Sequence, residues 1–309
     1  MPISNQLHRD KALENISIAY SPNEFVADRL VPRVPVKHES DVFYVFDQDI
    51  MALPETLRAD GSESRQATYN LSVSSYRVDE HALNDIVTDR QRDNADKALK
   101  PDVDATEVLT KKILIRREVE CAAIAFAKAN FSNNVSFTAA QAWGSNTTTT
   151  DPIINIDSGT SKVISSSGFV PNRLIVDDST FRALKNHVSV VDRVKHTSAD
   201  SLTEDMLAKL FNVQTMLVGR AIRDTSDEGL ASSLSPIWSN AALLAYMEPS
   251  PGLRKASAMY QFQGMGSGSP FTVTKWRDDP KRGDRIEVSS LFQYKAIATQ
   301  CAFLFIDTV

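Results

Sequence analysis

Ser21-Pro22-Asn23-Glu24-Phe25-Val26-Ala27-Asp28-Arg29-Leu30-Val31-Pro32-Arg33-Val34-Pro35-Val36 is the stretch on which the reading of this chain turns. Ser21 can cap a helix, Pro22 suits the first helical position, and Glu24 stands three residues after the cap. The helix that follows offers Phe25, Val26 and Leu30 for burial and stops before Pro32. Pro32 and Pro35 then hold the backbone extended. A short helix joined to a proline-rich extended stretch cannot pack on itself. It needs a second surface, either the body of its own chain or a neighbour.

Residues 41–47 and 68–78 read as strands. Between them runs a polar stretch, Pro54 to Ala67, with Asp60-Gly61-Ser62 as a turn. The pair forms a long two-stranded flap. An isolated hairpin is marginal in water, so the flap is expected to lie across another subunit.

Residues 102–131 predict the longest helix. Asp104 and Glu107 have cap-and-N3 spacing, and Val108, Ile115, Val119, Ala122, Phe126 and Ala129 fall on one stripe. Arg116 and Glu120 pair on the other side. Such a helix would span about 45 Å. Asn130 to Thr150, rich in Ser, Asn and Thr, reads as a loop or boundary.

From about residue 151 the pattern is mixed α/β. Leu174-Ile175-Val176 predicts a buried strand, and Asp178 caps a helix carrying Phe181, Leu184 and Val188. Ser201 and Glu204 start another short helix. Residues 216–219 and 241–246 read as strands, 249–270 as a long loop, and 271–276, 285–289 and 296–306 as strands. There is no internal repeat.

The composition excludes several classes. Among 309 residues, 42% are hydrophobic and 24% charged, as in a folded globular protein. No apolar run reaches the roughly 18 residues of a membrane span. Lys and Arg number 34 against 39 Asp and Glu, so the net charge of −5 argues against a grip on phosphates. The N-terminus lacks the apolar centre of a signal peptide. Cys121 and Cys301 sit in apolar contexts and read as buried thiols.

Catalytic signals are thin. None of His8, His38, His81, His187 and His196 forms a metal-type pair with another; they read as scattered surface or interface histidines. Gly264-Met265-Gly266-Ser267-Gly268 neither follows a clear strand nor opens a helix, so it reads as a flexible loop. Asp157-Ser158-Gly159-Thr160 looks like an aspartic protease turn, with Leu217-Val218-Gly219-Arg220 as a second motif. That chemistry needs two carboxylates sharing a proton, hence a dimer. Two helices between the motifs do not suit an all-β protease. The alternative is a plain turn before an apolar segment. Residues 275–285 read as a mixed-charge hairpin, because three Asp interrupt the basic excess.

The order of these elements resembles the major capsid proteins of tailed bacteriophages, with the Hong Kong 97-type fold. The resemblance rests on Ser21 to Leu30 followed by Val-Pro, the flap, the long helix, Gly168-Phe169-Val170-Pro171-Asn172-Arg173-Leu174-Ile175-Val176, Leu202-Thr203 through Ala221, Trp238 to Tyr246, and Phe303-Leu304-Phe305-Ile306-Asp307. It implies an α+β fold with an N-arm (1–40), an E-loop (41–78), a first part of the P-domain with its spine helix (79–150), an α/β A-domain (151–270) and return strands (271–309). Asp157 to Thr160 would then be a domain-junction turn.

The resemblance further implies a structural protein with no catalytic residue, metal or cofactor. Its partners would be copies of itself in pentamers and hexamers, a portal protein, separate scaffold or decoration proteins, and packaged double-stranded DNA without sequence-specific binding. The setting would be the virion capsid, assembled in the bacterial cytoplasm with no membrane. Some family members crosslink through a Lys on the E-loop. Here no Lys occurs between Lys37 and Lys97, so a non-covalent shell is expected. Phe25 and Leu30 in the arm and Arg58 and Arg65 in the flap are the expected inter-subunit contacts, the arginines as forked donors to carboxylates. An encapsulin-type compartment shares the fold and is the alternative.

Overall fold

The computed structural model describes residues 25–46, 51–66, 70–95, 100–147, 150–195, 202–227, 229–252, 255–264 and 270–309. The expected helix start, Ser21 to Glu24, lies outside them. After it comes a one-turn helix, α1 (Ala27–Leu30), which ends at an extended Val31 just before Pro32. The chain stays extended as β1 (Arg33–Val36). The expected flap is present: β2 (Ser40–Phe46) pairs antiparallel with β3 (Leu71–Arg77), with Tyr44 opposite Val73. The next strand, β4 (Asp79–Thr88), has no alternating signal in the sequence, because Val87 is its one buried residue and Ala82, Leu83 and Ile86 stand scattered among polar groups. A capping box of Thr88 and Gln91 opens the short α2 (Asp89–Asp93).

The long helix is α3 (Pro101–Ala125), shorter than the expected 102–131. Phe126 breaks it, and Lys128–Asn130 form a separate 3-10 turn. Its 25 residues span about 37 Å. Pro101 stands at the helix start, so Asp104 lies inside the helix and is not the cap. The expected stripe is also displaced. Val108 is exposed, and the buried face runs through Leu109, Ile113, Arg117, Cys121 and Ala125. Two charged residues, Arg117 and Glu118, sit in the middle of that face and break its apolar period in the sequence.

The expected loop at 130–150 holds a strand, β5 (Asn133–Ser136), and the fully buried Trp143. Then α4 (Pro152–Ser167) begins at Asp151, whose Oδ1 accepts from the Ile153 amide at 2.9 Å. This helix overturns every reading of Asp157 to Thr160 as a turn. Gly159 is there for close packing: a Cβ at that position would stand 2.8 Å from Cζ of Phe305.

The α/β region follows as β6 (Arg173–Asp177), α5 (Asp178–Asn186), α6 (Val188–Val194), α7 (Glu204–Leu210) and β7 (Thr215–Gly219). The cap of α5 is Asp177 rather than Asp178, accepting from the amides of Ser179 and Thr180. Thr203 caps α7; Ser201 lies outside the described residues. A small hairpin, β8 (Ile222–Asp224) and β9 (Leu234–Pro236), leads to β10 (Ala241–Ala245). The expected loop at 249–270 contains β11 (Met259–Gly264). The chain closes through β12 (Thr272–Asp278), β13 (Gly283–Ala296) and β14 (Ala302–Ile306).

Two five-stranded sheets organise the molecule. The first runs β1-β11-β13-β12, with β4 also on β13; β1 is parallel to β11. The second runs β5-β14-β10-β6-β7, and its strands β14 and β10 are apolar at every position. Such runs mean burial on both faces. Leu174, Val176, Met216, Val218 and Leu244 pack with Phe181, Leu184 and Leu207 of the helices. Ile175, Leu217, Leu243 and Leu304 face a core shared with Leu30 of α1, Ile113 of α3, and Ile286 and Val288 of the first sheet. The last segment therefore serves both sheets, β12 and β13 the first and β14 the second.

Candidate assembly surfaces

The arm was expected to need a second surface, and its own chain supplies one. Val26, Ala27, Leu30 and Val31 are buried, and Leu30 is 0% exposed. Leu30 thus has no surface left for a neighbour. Its expected inter-subunit contact is corrected to an anchor in the subunit's own core. Phe25 is half-buried at the edge of the same segment. β1 pairs with β11 from Arg33 opposite Gln261 to Val36 opposite Gly264. Pro35 is tolerated because β1 is an edge strand.

A buried charge cluster fastens this segment. The side chain of Glu118 is fully buried; its Oε1 accepts from the Val26 amide at 3.0 Å and from Nε1 of Trp238 at 2.7 Å. Its Oε2 accepts from the Ala27 amide at 2.9 Å. Burial pushes the Glu118 carboxyl above its usual range, and these three donors pull it back. Next to it, Asp28 bridges Arg117 at 2.6 Å and Arg33 at 2.5 Å. The Arg117 guanidinium lies over the rings of Phe271 and Phe292, 5.5 Å from each centroid. The only sequence signal for this cluster is two adjacent charges inside an otherwise apolar helix face.

The flap behaves differently. Its inner face packs on the first sheet: Tyr76 stacks on Phe262 at 4.7 Å, Phe43 meets the same ring at 5.5 Å, and Nζ of Lys295 donates to Oγ of Ser74 at 3.0 Å. Its outer face presents Val42, Tyr44 and Val73 to solvent. Beyond the strands, Leu53 is 95% exposed and Leu57 87%. Arg58 and Arg65 are both exposed. Nε of Arg58 donates to the Ser62 carbonyl at 2.5 Å, across a turn whose Gly61 has φ +77°. The four expected contact residues therefore form no single site. Two belong to the body and two to the flap. Leu53 and Leu57 stand between the two strands, in a stretch with no strand or helix period to mark them.

The stretch 275–285 is a mixed-charge hairpin, as expected, and its Lys275 and Arg277 pair with carboxylates of the body. Arg277 makes a forked pair with Asp89 at 2.7 and 2.6 Å. Lys275 reaches Asp102 at 2.7 Å, and Arg92 joins Asp102 at 2.8 Å to Asp284 at 2.9 Å. The bonded Lys275 ammonium, helped by Arg92, holds the Asp102 carboxyl below its usual range against the desolvation of its site.

Other sequence candidates are placed plainly. Asp157 lies exposed on α4, beside Ser158, Ser161 and Lys162 in a shallow depression of about 590 Å³. Cys121 and Cys301 are buried free thiols. His187 is buried rather than at the surface, and its Nδ1 accepts from the Ser189 amide at 3.3 Å. His8 and His196 lie outside the described residues, as do Met265 to Gly268. Among the described residues no group of three His, Cys, Asp or Glu could hold a metal, and no helix is long and apolar enough to cross a membrane.

No protein-family model matches the sequence. The chain is 27% identical over 282 residues to the major capsid protein of Burkholderia phage BcepMu, covering 87% of each. It is 23% identical over 305 residues to the major capsid protein of Pseudomonas phage JBD67, covering 97% of each. Among solved structures, a phage-related protein from Bordetella bronchiseptica superposes with a TM-score of 0.71 at 24% identity over 92% of each chain. The capsid of cyanophage P-SCSP1u gives 0.66 at 11% identity, over 98% of this chain and 93% of that one. The SrpI encapsulin of Synechococcus elongatus gives 0.56 at 12% identity, over 97% of this chain and 95% of that one. The structural matches carry the fold and the two phage relatives carry the narrower kinship. The chain thus has the Hong Kong 97-type capsid fold, and in sequence it is similar to the major capsid proteins of two phages.

Proposed function

We propose that this chain forms a shell with copies of itself, arranged as pentamers and hexamers that close into an icosahedral container for double-stranded phage DNA. The observation that carries the reading is the flap. A subunit that leaves Val42, Tyr44, Val73, Leu53 and Leu57 exposed on one extended element presents apolar area that water disfavours and a neighbour can cover. On this reading the protein works by assembly rather than catalysis. The first sheet with α3 serves as the P-domain, the second sheet with its helices as the A-domain, and assembly takes place in the host cytoplasm with a portal and any scaffold supplied as separate proteins.

Two further points belong to the proposal. The flap holds no Lys, and the guanidinium groups of Arg58 and Arg65 are not nucleophilic, so the shell is held without covalent crosslinks. The net charge of −5 suits a wall that encloses DNA without trapping it. An encapsulin-type compartment is the second reading, favoured by the fold match to SrpI. Electron microscopy of purified particles tests both. Shells tens of nanometres across that contain DNA are expected; shells filled with a protein cargo would transfer the chain to the second reading, and no shells would sink both. Boiling mature particles in detergent should release single chains, and ladders of linked subunits would overturn the non-covalent reading.

A further inference from the structure

A helix of four residues is too short to hold itself. Yet α1 has its polar groups taken at both ends by residues far away in the sequence. Glu118 of α3 accepts from the amides of Val26 and Ala27. Arg117 of α3 holds Asp28. At the other end, Nη1 of Arg173, the first residue of β6, donates to the carbonyl of Arg29 at 2.7 Å and to that of Leu30. The two ends are thus gripped from different layers. α3 packs on β13 and β4 of the first sheet, whereas β6 is a strand of the second.

Trp238 closes the circuit. Its indole Nε1 donates to the same Glu118 oxygen that the Val26 amide uses. Its ring meets Phe126, at the end of α3, edge-on at 5.1 Å. On the other side it lies against Gly219, the last residue of β7, so closely that a Cβ there would stand 2.3 Å from its Cγ. Beneath these groups Leu30 enters the core that both sheets share.

We infer that α1 is a dowel that fixes the two sheets relative to one another, with Glu118, Trp238 and Arg173 as its positioning residues. Shell formation alone does not assign such a role, and the inference stands whether or not the shell encloses DNA. The physical argument is directional. Apolar burial in the shared core favours contact but tolerates sliding. Hydrogen bonds demand distance and angle. A buried carboxylate that takes three N–H donors, two from the arm and one from Trp238, is satisfied in one arrangement of those elements. Any other arrangement leaves a buried charge short of donors, which is costly.

Hydrogen exchange on the full-length protein in its particles tests this. The readout compares the amides of buried residues of β13, Ile286 and Val288, with those of the second sheet, Ile175 and Leu243. In the unaltered protein both sets should exchange as one cooperative unit. Glu118→Gln keeps one acceptor oxygen and removes the charge. Arg173→Lys keeps the charge but draws the donor nitrogen one bond short of the two carbonyls that Nη1 reaches. In either variant the two sets should separate by about tenfold or more, the change expected for a lost charge-assisted bond. Glu118→Gln should also speed the Val26 and Ala27 amides by a similar factor. If Glu118→Gln does not fold, Arg173→Lys alone decides. Two sets that stay together in the folded variants, whatever their common rate, would overturn the dowel. So would an unaltered protein in which they already exchange independently.

Discussion

The arm and the flap looked alike in the sequence, two extended elements unable to fold alone, yet they solve the problem in opposite ways. Residues 26–36 are fastened within the subunit, with Leu30 sealed in the core and β1 paired to β11. The flap rests only its inner face on the first sheet and leaves Leu53 almost wholly in water. Extended backbone therefore does not by itself mark an inter-subunit element. What distinguishes the two is the partner for their polar groups. Glu118, Arg117 and Arg173 wait for the arm inside the body. The arginines of the flap face solvent.

The comparison breaks most sharply at Leu30. Leu30→Ala should destabilise the isolated subunit by about 2–5 kcal/mol, the range for a fully buried leucine, measured as a shift in the denaturant midpoint. A change no larger than that of an exposed flap substitution would mean that the arm is not part of the subunit's own core.

A smaller loss is expected at Gly219. Adding one methyl there forces the Trp238 ring away from β7 and from Glu118, and overpacking of this kind costs about 1–3 kcal/mol. Gly219→Ala should lower the melting temperature and blue- or red-shift the Trp238 fluorescence. An unchanged melting temperature would show that the ring has room to move.

The parts of the fold that could be read in advance are those with local signals. The flap has period-two alternation and a turn, and α1 is stopped by a proline. The failures share a cause: the stabilising partner is distant. β4 is held by pairing along β13 and carries mostly polar residues. β11 sits in a stretch rich in Pro, Gly and Ser and exists because β1 and β13 flank it. Asp157-Ser158-Gly159-Thr160 has turn chemistry, yet it is helical because Pro152 starts the helix and Gly159 lets it settle on Phe305. The arm's anchorage was illegible for the same reason. Nothing near Glu118 in the sequence says that two amides some ninety positions away will meet it.

Acid should sharpen the contrast from the other side. Asp102 has a folded pKa below the unfolded value, so its pairing contributes stability that is present above about pH 3.9 and lost as pH falls through the folded value. Glu118 has a raised folded pKa, so its sign is opposite: the penalty for burying its charge fades as pH falls. The subunit's denaturation midpoint should therefore drop below about pH 4, and Asp102→Asn should flatten that drop, at the price of lower stability at neutral pH. Identical acid limbs in the two proteins would remove the ion network from the account. The effect is modest, because these pairs are partly solvated and salt screens them.

The smallest effect on the subunit, and the most informative about its surface, is expected from the flap. Arg58 and Arg65 are exposed, and the one carbonyl that Nε of Arg58 meets at 2.5 Å is four residues away. Replacing both with Ala should move subunit stability by no more than about 0.5 kcal/mol, as for surface positions generally. If the flap is the element that neighbours cover, the same double variant should still lower the yield of closed particles in sedimentation. Leu53→Ser with Leu57→Ser should lower it further, because their large exposed apolar area gains most from being covered. The decisive quantity is the ratio of the two effects. Losses of subunit stability and of particle yield that run in parallel would make the flap a second arm, fastened within its own chain. Loss of particles from an intact subunit would leave the arm and the flap as different as their exposure suggests.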